Sequence, residues 1–408
     1  MNKYFVIVAH VPTASITEGF LPELRRRNQP LLVVTDQPVL HQELIEQGLL
    51  YADEILAVDV FNPIAILNLL NQNFIEPVAI FTNSDHLQTS TAIVADYYGL
   101  PNKDWRACFQ AKNKLAMRRV IQDAGLDTLW FKPVSMASDL ADVEIPFPCI
   151  AKPIEGVASE NVSLVKDEAE LKSICQAFWL RNPGQALLLE EYIPGALHTL
   201  ETLGDGHQLQ VMGSFETYLS EPPYFIELGQ TFNRQLDAEI IEPLLAQIKA
   251  VGVGFSSCHT EFVMTDKGPR LIEINYRNIG DQSDFLLAQA LHFNLFGAVV
   301  DIYLGLAMPQ VPDGSHYAQI HCQIADRSGV IDQVPGNCTL ERDGCTVYYE
   351  PLCKSGEYHQ QDNSNRDYLS ILRGTGPTET QLSKVMTELV SELSISFSSD
   401  NNAAIGEA

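Results

Sequence analysis

Three polar side chains interrupt an otherwise apolar run at residues 270–280, RLIEINYRNIG: Glu273, Asn275 and Arg277. Side chains alternate across a strand, so a carboxylate, an amide and a guanidinium share one face of it. The run before it, HTEFVMT (259–265), suits a second strand, and Asp266-Lys267-Gly268 suits a three-residue hairpin loop ending on glycine. Pro269 starts the return strand, where a missing N–H does little harm. Pairing Thr265 with Pro269 then sets Glu261 directly opposite Glu273 and His259 opposite Asn275. A loop one residue longer would slip this register and break the pairing.

Two carboxylates facing each other on an apolar sheet repel, and the repulsion is less screened there than in water. A shared proton would offset it and make a general acid/base pair. So would a hard divalent cation, with Asn275 adding a neutral oxygen. Mg²⁺ takes one or two carboxylates together with substrate phosphates, and Mn²⁺ could stand in for it. Acid, acid and amide, with no His or Cys doubling up, suit Mg²⁺ better than zinc. Arg277 would then sit where it can grip a phosphoryl oxygen. A solvent-facing strand whose polar residues happen to alternate accounts for the same letters, so the rest of the chain must decide.

The flanking elements narrow the choice. YFVIVA (4–9), PLLVVTD (30–36) and PVAIFTN (77–83) are buried-strand runs, separated by a helical stretch near 17–28 and followed by a helix over 87–99 closed by Gly99 and Pro101. Such βα alternation predicts an α/β fold whose N-terminal part, residues 1–105, is a doubly wound Rossmann-like sheet. Ligands bind such sheets at the carboxyl ends of strands, which makes TNSDH (82–86) a rim, although helix capping by Ser84 or Asp85 explains it better. The second region, 106–310, opens with one amphipathic helix over 111–126. Strands follow at 147–154, near 165 and at 186–195, then a hairpin around Gly204-Asp205-Gly206, a helix near 238–250 and a helical segment at 282–306. The break MPQVPDG (308–314) marks a boundary. Residues 311–397 read as several strands and a final helix near 378–394, and 398–408 as a disordered tail. GVGFSS (252–257) lies between helix and strand, the reverse of the order a dinucleotide-binding turn needs.

Bulk composition excludes other classes. The 408 residues are 46% hydrophobic and 19% charged, as in chains with real cores. Acidic residues outnumber basic ones 52 to 26, and the net charge of −26 repels nucleic acid and anionic membrane, so neither is an expected partner. A phosphate-bearing ligand then needs local lysines, arginines or a metal ion. Eight scattered cysteines with no Cys-x-x-Cys pair point to a reducing cytoplasm rather than to a disulfide framework or zinc site. No stretch approaches the ~18 apolar residues that span a bilayer.

Taken together, the hairpin and the pieces before it resemble the ATP-grasp ligases. HTEFVMTDKGPRLIEIN is similar to their metal-binding hairpin. NKLAMRRVIQDAGL is similar to the helix whose lysine, here Lys114, contacts nucleotide phosphates, although a lysine on a helix face alone is as easily a solvated surface residue. IAKPIEGVASENV is similar to the strand and loop that cover ATP, with Lys152 and Ser159 at the phosphates. LLEEYIPG is similar to the hinge that reads adenine. The resemblance implies a pre-grasp domain, a grasp module with a lid subdomain near 128–196, and a C-terminal α+β piece carrying a mixed sheet. It assigns the adenine contact to Glu190, with Glu191 nearly equal, and to the Ile193 backbone. His198 and Glu201 fall near the ribose, Glu261, Glu273 and Asn275 hold Mg²⁺, and Arg277 and Lys152 act on the transferring phosphoryl group.

Departures are local: Tyr276 stands where the family has proline, the phosphate loop has less glycine around Ser159, and Leu197 takes a position often acidic. The implied reaction joins a small carboxylic acid to an amine through an acyl phosphate. The tail resembles amino-acid and dipeptide ligases, which favours an amino acid as one substrate. A biotin-carboxylase-like use of bicarbonate and a non-catalytic ATP-binding protein are the alternatives. Asp281 and Asp284 could bind a substrate ammonium, but an acidic helix start explains them better. A homodimer is compatible with all of this.

Overall fold

The computed structural model describes residues 2–141, 143–156, 159–313 and 316–398, with Asn2 by its backbone alone. Of the expected tail, Ser398 hydrogen-bonds Val330 (2.8 Å), and 399–408 lie outside the described residues.

The N-terminal part is a parallel sheet of β1 (Asn2–Ala9), β2 (Leu31–Thr35), β3 (Glu54–Ala57) and β4 (Ile75–Phe81) in the order β3-β2-β1-β4. Parallel neighbours require crossovers. A π-helical turn at Ser15–Phe20 running into α1 (Leu21–Arg26), then α2 (Pro38–Glu46) and α3 (Pro63–Gln72), supply them; α4 (Gln88–Tyr97) follows β4. β1 and β2 are buried on both faces, which is why they read as unbroken apolar runs. The strand order reverses between β1 and β4, and the loop after β4 reaches the next domain: Asn83 Oδ1 accepts from the Asn278 N–H (3.3 Å). The capping explanation for Ser84 and Asp85 does not hold. Ser84 makes no side-chain cap, and Asp85 pairs with Lys112 instead.

The single helix expected over 111–126 is two, α5 (Trp105–Lys112) and α6 (Lys114–Asp123). Asn113 leaves the helical region (φ −87°, ψ 99°) and caps α6 by accepting from the Ala116 N–H (2.9 Å). The break makes Lys114 the first residue of α6 and buries it to 4% exposure, which removes the surface explanation. Residues 131–191 then form a separate antiparallel sheet of β5 (Phe131–Val134), β6 (Cys149–Pro153), β7 (Ser163–Val165) and β8 (Leu187–Glu191), ordered β5-β8-β6-β7. Helix α7 (Glu168–Arg181) packs Leu171, Cys175 and Phe178 against Val134, Cys149 and Leu189.

A larger sheet opposes it. β9 (Ala196–Asp205), β10 (Leu209–Leu219), β11 (Glu227–Asn233), β12 (Phe255–Thr265) and β13 (Gly268–Asn275) are its grasp strands, with α8 (Ala238–Ala250) between β11 and β12. The expected helix over 282–306 is again two, α9 (Ser283–Leu291) and α10 (Leu295–Tyr303), bent by 101° where His292 turns left-handed. Beyond the boundary come β14 (Tyr317–Ile324), β15 (Gly329–Gln333), β16 (Cys338–Arg342), β17 (Cys345–Pro351), β18 (Tyr358–His359), β19 (Tyr368–Gly376), α11 (Glu379–Glu392) and β20 (Ser396–Phe397). β14 pairs with β11, so nine strands run continuously as β13-β12-β9-β10-β11-β14-β19-β17-β16. Among the described residues no single helix is long and apolar enough to cross a membrane.

Gly195 joins the two sheets at φ +152°, and a Cβ there would stand 2.2 Å from the Met264 carbonyl oxygen of β12. Gly195→Ala should therefore destabilise the fold by about 1–3 kcal/mol. Denaturant titration checks this: a midpoint unchanged from wild type would mean that the strand start can shift freely.

Candidate active site

The facing acids are where the sequence put them, reached by a different route. At the hairpin tip Thr265 pairs with Gly268, not Pro269, leaving a two-residue turn and a register one residue off. A β-bulge between Leu271 and Glu273 absorbs the offset, so Glu261 pairs with Glu273 and His259 with Asn275. The bulge leaves backbone carbonyls to be satisfied. Arg118 on α6, 2% exposed, donates to the carbonyls of Leu271 (2.7 Å) and Ile272 (3.1 Å).

The repulsion between the acids is offset by the protein itself. Lys114 Nζ donates to Glu273 Oε1 at 2.8 Å, and this carboxylate raises the lysine's pKa despite burial. Glu261 faces His259 Nε2 at 3.4 Å and accepts from Asn275 Nδ2 at 3.3 Å. His259 Nδ1 lies 2.7 Å from Glu201 Oε1. Burial would lower the pKa of His259, but Glu201 and Glu261 carry it up to about 10, so the ring is a cation at neutral pH. His259, noted in the sequence only for its register, is thus the counter-charge of the acid pair. An i, i+2 spacing of His and Glu on a strand was the available signal.

A cavity of about 360 Å³ opens between the lid sheet and this hairpin. Lys114, Lys152, Ser159, Glu190, Ile193, Glu261, Glu273, Asn275 and Arg277 all line it. Lys152, from β6, is 5% exposed and lies 2.7 Å from Glu190 Oε2. Arg118 holds the other side of that carboxylate at 2.7 and 3.3 Å. Burial alone would raise Glu190, yet the two cations hold its carboxyl at about 2. Its oxygens are thereby committed to the Arg118–Lys152 clamp, whereas Glu191 next to it lies at the cavity wall, 3.6 Å from Arg270. Ser159 stands in the left-handed region (φ +56°), a strained position for a residue with a side chain.

Two expected residues are not brought into the cavity. Leu197 lines it, so its neighbour His198 falls on the opposite face of β9, stacked on Phe262 (5.6 Å, 22°). Glu201 is on the right face but 1% exposed beneath His259. Neither lines the cavity. Tyr276, at the proline position, anchors the segment bearing Arg277: its hydroxyl accepts from the N–H groups of Gly254 (3.1 Å) and Phe255 (2.9 Å). Buried Lys103 donates to its carbonyl. Asp284 is buried against Ser15 (2.6 Å), away from the cavity, while Asp281 lines it.

One wall residue gave no signal in the sequence. Glu227, at the start of β11, accepts from Asn365 Nδ2 (3.1 Å) and Gln230 Nε2 (3.2 Å). Burial and the nearby Glu261 and Asp281 carboxylates push its pKa upward.

Two antiparallel sheets closing on a cavity, lysines on one wall and facing acids on the other, are the grasp arrangement, and comparison with known proteins agrees. The ATP-grasp domain profile matches residues 111–281. An L-amino acid ligase from Bacillus licheniformis superposes with a TM-score of 0.81 at 16% identity, covering 98% of this chain and 100% of that one. Carnosine synthase 1 of Gallus gallus is 26% identical over 385 residues, which are 85% of this chain but 40% of that protein. An uncharacterised protein of Sinorhizobium fredii (strain NBRC 101917 / NGR234) is 25% identical over 352 residues, 82% of this chain and 71% of that one. Residues 111–281 thus match an ATP-grasp domain, and the chain as a whole shares the fold of that L-amino acid ligase.

Because Glu190 is held ionised well below its unfolded pKa, it stabilises the fold above that pKa, and the contribution fades as pH falls toward 2. Glu190→Gln should cost about 3–5 kcal/mol at neutral pH, by leaving buried cations short of charge. The deficit should shrink between about pH 5 and pH 2, and urea midpoints of both proteins across that window check it.

Proposed function

We propose that the chain is an ATP-dependent, ADP-forming carboxylate–amine ligase that uses an amino acid or similar small acid. The observation carrying this is the convergence of Lys114, Lys152 and Arg277 with the facing acids Glu261 and Glu273 on one cavity. Within an acidic protein, three cations gathered at one point suit a triphosphate.

The donor set fits Mg²⁺. Glu261, Glu273 and the Asn275 amide would offer it two carboxylates and a neutral oxygen beside the nucleotide's phosphates. Among the described residues no three His, Cys, Asp or Glu side chains form a metal cage of their own. When bound, Mg²⁺ neutralises phosphate charge and so eases attack at the terminal phosphorus.

The chain's own groups do the rest. Lys114 and Lys152 reach phosphate oxygens, which requires Lys114 to be shared between Glu273 and the nucleotide. The adenine edge falls to the backbone of residues 191–193 and the Glu191 carboxylate, since Glu190 is occupied by Arg118 and Lys152. The substrate carboxylate attacks the γ-phosphorus and ADP leaves. Arg277, which lines the same cavity, steadies charge on the transferring oxygens in this reading. An amine then attacks the acyl carbon, phosphate departs with the bonding pair and takes up the proton that the nitrogen gives up, and an amide remains. No protein nucleophile is needed.

The deciding assay is ADP release over pairs of proteinogenic L-amino acids, with product masses recorded. Release that depends on bicarbonate instead, or ATP binding without turnover on any acid, would sink the proposal. Glu273→Gln should lower turnover by about 100-fold or more while the fold survives, because glutamine can still accept from Lys114. Lys152→Ala should raise the KM for ATP by about tenfold or more; an unchanged KM would move Lys152 out of the phosphate site.

A further inference from the structure

Part of the cavity, called here the inner chamber, is not explained by the nucleotide. Its walls come from β11, β14, β19 and the loop after β13. Ile279, Ile320, Cys322 and Tyr368 make them apolar, and Glu227 and Asp281 bring the charge. Asp281 sits in the left-handed region (φ +51°). Glu227 forms no ion pair among the described residues; its partners are the neutral amides of Asn365 and Gln230. Each of those takes one lone pair of a carboxylate that can accept about four hydrogen bonds. A carboxylate that lines a cavity, is oriented by two amides and lacks a cation complements a cationic ligand.

Lys114, Lys152 and Arg277, the Lys and Arg residues of the lining, suit phosphates and a substrate carboxylate, whereas Glu227 and Asp281, which form no ion pair among the described residues, suit an ammonium. Resting on the ligase reading above, we infer that the inner chamber receives the amine substrate, that Glu227 holds its ammonium group, and that the amine carries an apolar body lying against Ile279, Ile320, Cys322 and Tyr368. Glu227 is then a specificity-determining residue for the second half of the reaction and is not needed for the first.

The test separates the halves with two nucleophiles. L-Leucinamide carries an ammonium and an apolar body but no carboxylate to phosphorylate, so it serves only as the amine. Hydroxylamine is uncharged at neutral pH and traps an acyl phosphate without needing an anionic partner. With the acid identified in the amino-acid panel, Glu227→Gln should raise the KM for L-leucinamide about tenfold or more. Its KM for ATP and its rate of hydroxamate formation should stay within about twofold of wild type. Amide formation at the wild-type KM would overturn the assignment. So would parallel loss of amide and hydroxamate in a variant whose thermal midpoint is intact, since Glu227 would then serve the acid. If Glu227→Gln does not fold, Asp281→Asn, which keeps a left-handed backbone comfortably, should show the same split at smaller size; no split there would also overturn it. Failure of the wild-type enzyme to form any hydroxamate would instead remove the acyl-phosphate reading beneath both.

Discussion

Two carboxylates are held face to face in a hairpin, and most of the site can be understood as the means of keeping them there. Their repulsion is met on one side by Lys114 and on the other by His259, itself charged through Glu201. The resting protein thus supplies its own counter-charge instead of waiting for a metal ion, as the sequence alone suggested it would. One consequence is preorganisation: the acids are already oriented and met by counter-charge. Another, on the proposed ligase reading, is competition, because Lys114 would loosen its hold on Glu273 to reach a phosphate.

The same economy joins the two sheets. The bulge that restores the acid register frees two carbonyls, Arg118 takes both, and its remaining donors grip Glu190 on the lid strand β8. Lys152 meets Glu190 from the neighbouring strand β6. Hairpin and lid are therefore tied through one buried guanidinium, and Lys114 and Arg118 hang one turn apart on α6. The short α6, cut free of α5 at Asn113, is the element on which both walls of the cavity converge.

Much of this was legible in residue order. Long buried strands, the helix at 238–250 and the alternating Glu-x-Asn-x-Arg face carry strong local patterns, and the resemblance placed nine of the cavity-lining residues. What escaped had no local signature. The tip of the hairpin has a shorter turn than Asp266-Lys267-Gly268 implied, and only a bulge, invisible in the letters, brought Glu261 back opposite Glu273. The helix over 111–126 kept its periodicity across a break set by one asparagine side chain. β3, four residues long with three partly buried and one exposed, is too short to announce itself. His198 and Glu201 failed for a simple reason of strand parity and depth: one faces away and the other is sealed by a histidine. Glu227 and Arg118 depend on partners 138 and 72 residues distant, which no spacing rule reaches.

The continuity of the nine-stranded sheet bears on modularity. The Pro/Gly-rich break at 308–314 looks like a seam, yet β14 lies hydrogen-bonded along β11, and Asn365 from the same segment steadies Glu227. Cutting there would strip β11 of its outer neighbour and leave a bare row of amides and carbonyls, the kind of margin on which chains stack into aggregates. The grasp module and its C-terminal extension are in that sense a single structural unit, inherited or transplanted together.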